Sequence, residues 1–189
     1  MSETAQRSNV VPLVAIAAGA VVSVLLGVYG AQHDPTGEEI VDFGFPTLSA
    51  MKVYLGLAAG VLAVGQLFGA LWLYGKLPMA APSWLGTGHR IFGFLAIAVS
   101  LPVAYHCLWS LGFQDNNTRV LVHSVAGCVI YGVVVMKVFG VHSKSAPGWF
   151  LPIVGSLLFT AFLVTILTGA GWYLSEFGWP ETSGSGSGY

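Results

Sequence analysis

"PVAYHCLWSLGFQDNNTRVLVHS", residues 102–124, decides the fold. Two apolar runs meet at the polar break "QDNNT", with His106 several residues inside the first and His123 several residues inside the second. So short a break joins antiparallel neighbours. Followed outward, the two runs cover 85–112 and 119–142. Each is longer than the roughly 20 residues a helix needs to cross about 30 Å of hydrocarbon. The stretch therefore reads as a transmembrane hairpin. Imidazole is expensive in lipid, so its histidines call for a reason.

Three further apolar runs, at 10–30, 50–75 and 149–174, bring the number of spans to five. All are continuous rather than alternating, and only helices or closed barrels satisfy the backbone in lipid. The expected fold is an all-α membrane protein, five transmembrane helices in an antiparallel bundle over residues 1–175, with 176–189 as a flexible tail ending in "SGSGSGY". Composition agrees. Of the 189 residues 55% are hydrophobic and 8% are charged, against roughly 25% charged in a soluble domain. The net charge of −1 and the lack of a basic block exclude nucleic acid as a partner. The first run follows Arg7 and ends near Gly30 and Ala31 as a signal peptide does, but its apolar core is long and it reads as a retained helix.

The loops predict an orientation. Arg7, Lys76, Arg90, Lys137 and Lys144 fall on one side, against Lys52 and Arg119 on the other. By the positive-inside rule the N-terminus lies inside and the C-terminus outside, in a plasma (inner) membrane. The loop 31–49 is then external, and it is acidic through Asp34, Glu38, Glu39 and Asp42. In the second span Gly56, Gly60, Gly65 and Gly69 read as close helix packing, and Gln66 as an interhelical hydrogen-bonding residue.

Four of the five histidines fall in the hairpin. His106 and His123 share a depth near the outer face, and His89 and His142 share one near the inner face. His89 and His106 are 17 residues apart, and His123 and His142 are 19 apart. At about 100° per residue these spacings drift by mirror-image amounts, so both outer histidines can share one side of the helix seam. Two facing neutral imidazoles with apolar walls and cations for the propionates are what a b-type haem requires. Gly93 follows His89 by four residues and Gly127 follows His123 by four, leaving room for a flat ring. Arg90, Arg119 and Lys144 lie near the right ends for propionates. The metal-ligating candidates are thus His89, His106, His123 and His142, for one or two haem b. Zinc or copper with Cys107 or Cys128 is a competing reading, although residues 106 and 107 point about 100° apart. A Cys107–Cys128 disulfide needs the helix faces to agree. Simple interhelical hydrogen bonding by single histidines is the structural alternative.

The chain has no phosphate-binding glycine loop, dinucleotide fingerprint or His-Glu-x-x-His zinc motif. No carboxylate falls in the middle of a span, which argues against a transporter driven through a buried acid.

"GHRIFGF", "PVAYHCLW" and "RVLVHSVAGCVIYGVVVMK" resemble an uncharacterised actinobacterial family of small multi-spanning membrane proteins, over about residues 44–174. The histidine pattern is also similar to cytochrome b561 and ferric-reductase-like transmembrane domains, which bind two haems b. That resemblance implies His89, His106, His123 and His142 as axial ligands. Cytochromes b561 spread their ligands over four helices, whereas here they fall on two.

The expected function is transmembrane electron transfer by a b-type cytochrome. An external or membrane redox protein would dock at loop 31–49, and a quinone or a cytoplasmic-side partner would serve the inner face. No catalytic residue is assigned. The chain would be an electron-transfer subunit or a membrane oxidoreductase. A non-catalytic accessory or assembly subunit of a larger membrane complex is the alternative.

Overall fold

Long runs of Leu, Val, Ala and Gly leave a backbone in lipid only itself to hydrogen-bond with, and the chain is helical almost throughout. A computed structural model describes residues 2–38 and 43–181, with side chains from Val10 onward. Glu39 and Asp42, the Arg7 side chain and the tail from 182 lie outside the described residues. The elements are α1 (Ser2–Gln32), α2 (Leu48–Leu73), α3 (Leu85–His106), α4 (Thr118–His142), α5 (Phe150–Ile166) and α6 (Trp172–Phe177). A π-helical turn, Cys107–Leu111, extends α3, and a second, Leu167–Gly171, joins α5 to α6. No strand occurs among the described residues. Five stretches are long and apolar enough to span: Val10–Gln32, Leu48–Leu73, Leu85–Leu111, Thr118–His142 and Phe150–Phe177. The chain is a multi-pass membrane protein.

Two of these helices start on a side-chain cap. The Thr47 hydroxyl accepts from the Ala50 N–H at 3.1 Å, and the Asn117 carbonyl oxygen accepts from the Val120 N–H at 3.0 Å. The second cap fixes where α4 begins, and therefore the phase of His123 along it. Asn117→Ala should cost about 1 kcal/mol of helix stability. It should appear as fraying of residues 118–121 in amide exchange, and unchanged exchange there would show the cap to be idle.

The chain's contacts fall into two compact units, residues 1–34 with 112–165, and residues 35–111 with 166–189. In the first unit α1 and α4 run antiparallel. Gly19 and Gly132 meet back to back, and a Cβ on Gly132 would collide with the Gly19 carbonyl and the Ser23 hydroxyl. Lipid tails are as apolar as leucine, so close approach and dispersion hold such helices together. Around this crossing Ala15, Val133, Phe150 and Val154 form a buried cluster. Gly140 lets the start of α5 close onto α4, its Cβ position lying 2.8 Å from the Phe150 ring.

In the second unit α2 is the hub. Its Gly56 and Gly60 face Ala170 and Ile166 on one neighbour, and its Gly65 and Gly69 face Phe92 and His89 of α3 on another. The glycine pattern is thus helix packing, as its spacing predicts. Both partners run antiparallel to α2. The chain before α2 ties down the π turn after α3. Thr36 N–H and Gly37 N–H donate to the carbonyls of Trp109 and Ser110 at 3.4 and 3.1 Å, occupying acceptors that a helix end leaves open. Beyond α6 the Tyr54 hydroxyl donates to the Pro180 carbonyl at 3.0 Å, and the Tyr54 ring stacks near Phe45 and Trp179. Residues 176–181 thus include the end of a helix and a tethered turn.

Candidate functional site

His106 is the last residue of α3, where the helix widens into its π turn, and it is 1% exposed. Such widened turns recur at functional positions. Four residues on, the buried Ser110 hydroxyl donates its one proton to the Glu38 carbonyl at 2.7 Å. Its lone pairs then face His106 Nδ1, 3.5 Å away. A hydroxyl already committed as donor can only accept from the imidazole. In this contact, at the length limit of a hydrogen bond, Nδ1 would be the donor nitrogen and Nε2 the one with the lone pair. Beside His106 is a cavity of about 280 Å³, lined by Phe43, Ala98, Leu101, Pro102 and Tyr105. Phe43 has a left-handed backbone, φ 52°, unusual for a residue with a side chain.

His123 is half-buried near the start of α4. Its Nδ1 lies 3.1 Å from the Thr165 backbone carbonyl. A carbonyl can only accept, so Nδ1 carries the proton and Nε2 again holds the lone pair. Metal-ligating histidines are oriented in this way, with the second ring nitrogen donating to a carbonyl or similar acceptor. On the chemistry of their donors, His106 and His123 each fit an axial position of a haem. One turn after His123, a Cβ at Gly127 would meet nothing within 4 Å, so a flat ring has room there. Arg119, half-buried, precedes His123 by one turn on the same helix face.

The other two histidines differ. His142 is exposed at the end of α4, and its Nδ1 is bound within its own helix to the Val138 carbonyl at 2.9 Å. His89 is half-buried, with Nδ1 3.1 Å from where a Cβ on Gly69 would sit. Its backbone carbonyl accepts from the Gln66 side-chain amide, the interhelical bond that Gln66 was expected to make. The rest of that amide fills the space at Gly93, where an added Cβ would lie 2.9 Å from Gln66 Oε1. The room for a ring inferred from Gly93 is therefore occupied by Gln66, whose oxygen is buried without a hydrogen-bond partner among the described residues.

His89, Arg90, Gly93 and His106 belong to the second unit, and Arg119, His123, Gly127, His142 and Lys144 to the first. Arg90 and Lys144 are exposed, and Arg90 Nε donates to the Gly86 carbonyl at 3.3 Å. Cys107 and Cys128 are free thiols. Among the described residues no three His, Cys, Asp or Glu side chains gather as a metal site would need, whereas a bis-imidazole centre requires only two. Sequence reasoning missed Ser110, although its position four residues after His106 on one helix was a readable signal. It also missed Thr165, which acts through its backbone and carries no residue signature.

No curated protein and no solved structure matches the chain. Residues 11–181 match DUF6529, a family of unknown function, and with most of its length covered the chain belongs to that family.

Proposed function

We propose that this protein is a b-type cytochrome of the plasma membrane, N-terminus inside, that carries electrons between an external or membrane redox partner and a quinone. The haem's axial ligands would come from the histidines of the third and fourth spans, of which His106 and His123 are each oriented by an oxygen within their own unit. The observation that carries this reading is the 3.1 Å approach of His123 Nδ1 to the Thr165 carbonyl, which makes Nε2 the acceptor nitrogen of that ring; Ser110 faces His106 Nδ1 in the same sense at 3.5 Å. When bound, the haem supplies a one-electron carrier. The chain's own residues do the rest. Ser110 and the Glu38 carbonyl orient His106, the Thr165 carbonyl orients His123, Gly127 leaves space, and Arg119 offers a cation to a propionate.

The space beside His123 suits a flat ring better than that beside His89, because Gly127 opens onto space whereas Gly93 faces the Gln66 amide. A visible spectrum tests the reading. Full-length protein purified after expression with ample haem should show a Soret band and a reduced b-type α band, at one haem per chain. A folded, colourless preparation would overturn the assignment.

A further inference from the structure

We propose that a cavity beside His89 binds the ring of a membrane quinone. The cavity lies wholly within the second unit, where the end of α2 meets the start of α3, and has a volume of about 210 Å³. A void of roughly 150 Å³ lined by apolar side chains takes up benzene. The space beside His89 therefore suits one substituted six-membered ring. Its shape also suits a flat molecule. Gly65, Gly69 and Gly88 supply walls without side chains, and Phe68, Trp84 and Phe92 supply aromatic ones. These three aromatics are also among the exposed apolar side chains of a membrane-spanning chain, so the ligand would enter from lipid and must itself be lipid-soluble. Amid this apolar lining stands an imidazole, that of His89. Few polar groups in an apolar cleft fix the orientation of a bound small molecule. A ring that is flat, apolar and edged by a carbonyl oxygen, with a tail that stays in the bilayer, meets each of these demands. What is proposed is binding, with one quinone carbonyl accepting a hydrogen bond from the His89 ring.

The inference deepens the electron-relay reading and rests on it, since such a relay needs a mobile lipid-soluble carrier at one face. It can nonetheless fail separately. The full chain in nanodiscs is titrated with a decyl-tailed dimethoxy-methyl-benzoquinone while tryptophan fluorescence is followed. Trp72 and Trp84 line the cavity and report on a ring bound between them. Saturable quenching is expected above the linear collisional background. Gly88→Leu, which fills the cavity, should abolish the saturable part and leave the Soret band unchanged. His89→Leu should weaken it about tenfold, the loss of one buried hydrogen bond. His89→Gln, which keeps a donor, should retain most of it, and this pair decides the matter if Gly88→Leu does not fold. Linear quenching alone, or saturable quenching that is equal in all variants, would overturn the proposal. So would a second haem lost on His89→Ala, because the His89 imidazole would then be an iron ligand and not the quinone's hydrogen-bond donor. A Soret band with linear quenching leaves the cytochrome reading standing without this one. Saturable quenching in colourless protein does the reverse. The same titration with 2-methyl-naphthoquinone, expected to bind more weakly, tests the single-ring fit; tighter binding would overturn the size argument.

Discussion

His123→Ala should yield protein that folds, inserts and carries no haem. The ring donates to the Thr165 carbonyl, so its removal deletes the proposed axial nitrogen and one hydrogen bond. His106→Ala tests the other proposed ligand in the same way. The fold should survive both, because the packing of each unit rests elsewhere, on Ala15, Val133 and Phe150 in the first and on the glycines of α2 in the second. A graded variant separates ligation from orientation. Ser110→Ala keeps the His106 nitrogen and removes its acceptor, so haem affinity should fall by about 10–100-fold, with the bis-imidazole spectrum retained in whatever binds. Loss of ligand and loss of orienting partner thus predict different spectra. Full haem occupancy in both histidine variants would show that the axial ligands are other residues.

Gly132→Leu should be the most damaging single substitution in the first unit. Its Cβ would fall on the Gly19 carbonyl and the Ser23 hydroxyl, and the carbonyl is backbone that cannot swing aside. Overpacking in a core commonly costs about 1–3 kcal/mol, and a collision with backbone lies at or above the top of that range. Helices α1 and α4 would have to separate along their crossing, exposing Ala15 and Val133 to lipid rather than to each other. Gly27→Leu is the matched control on α1. A Cβ at Gly27 meets nothing within 4 Å, so leucine there should be neutral or slightly stabilising through helix propensity. Thermal unfolding in detergent, followed by circular dichroism, should show a large drop for the first and none for the second. Equal effects would mean that the α1–α4 crossing is not held by close backbone contact.

The spans were legible because their signal is length and composition alone. All five apolar runs became helices, and the α2 glycines packed as their spacing implies. The ends moved for local reasons. The helix after Phe150 runs on to Phe177 through the π turn Leu167–Gly171, and α3 widens at Cys107. Division into two units was not legible, because apolar helices carry no mark of which neighbour they prefer. Individual site residues were partly legible. Histidine stands out in a lipid-soluble sequence, whereas its partners at Thr165 and Glu38 are backbone carbonyls present at every position. Glycine is the ambiguous case. Gly93 and Gly127 occupy equivalent positions after a histidine, yet one faces the Gln66 amide and the other faces space.

The π turn at Cys107–Leu111 has a geometric consequence. In an α-helix, with 3.6 residues per turn, two side chains four positions apart are offset by about 40° around the axis. A turn closed by i→i+5 bonds holds more residues, and the offset passes to the other side of eclipse. Ser110 stays on the side of the helix that His106 occupies, its hydroxyl 3.5 Å from the ring. The surplus residue in that turn works as a vernier. Excising one position between Cys107 and Trp109 would leave both His106 and the serine in the chain, yet rotate the hydroxyl away from the imidazole and cut the relay to the Glu38 carbonyl.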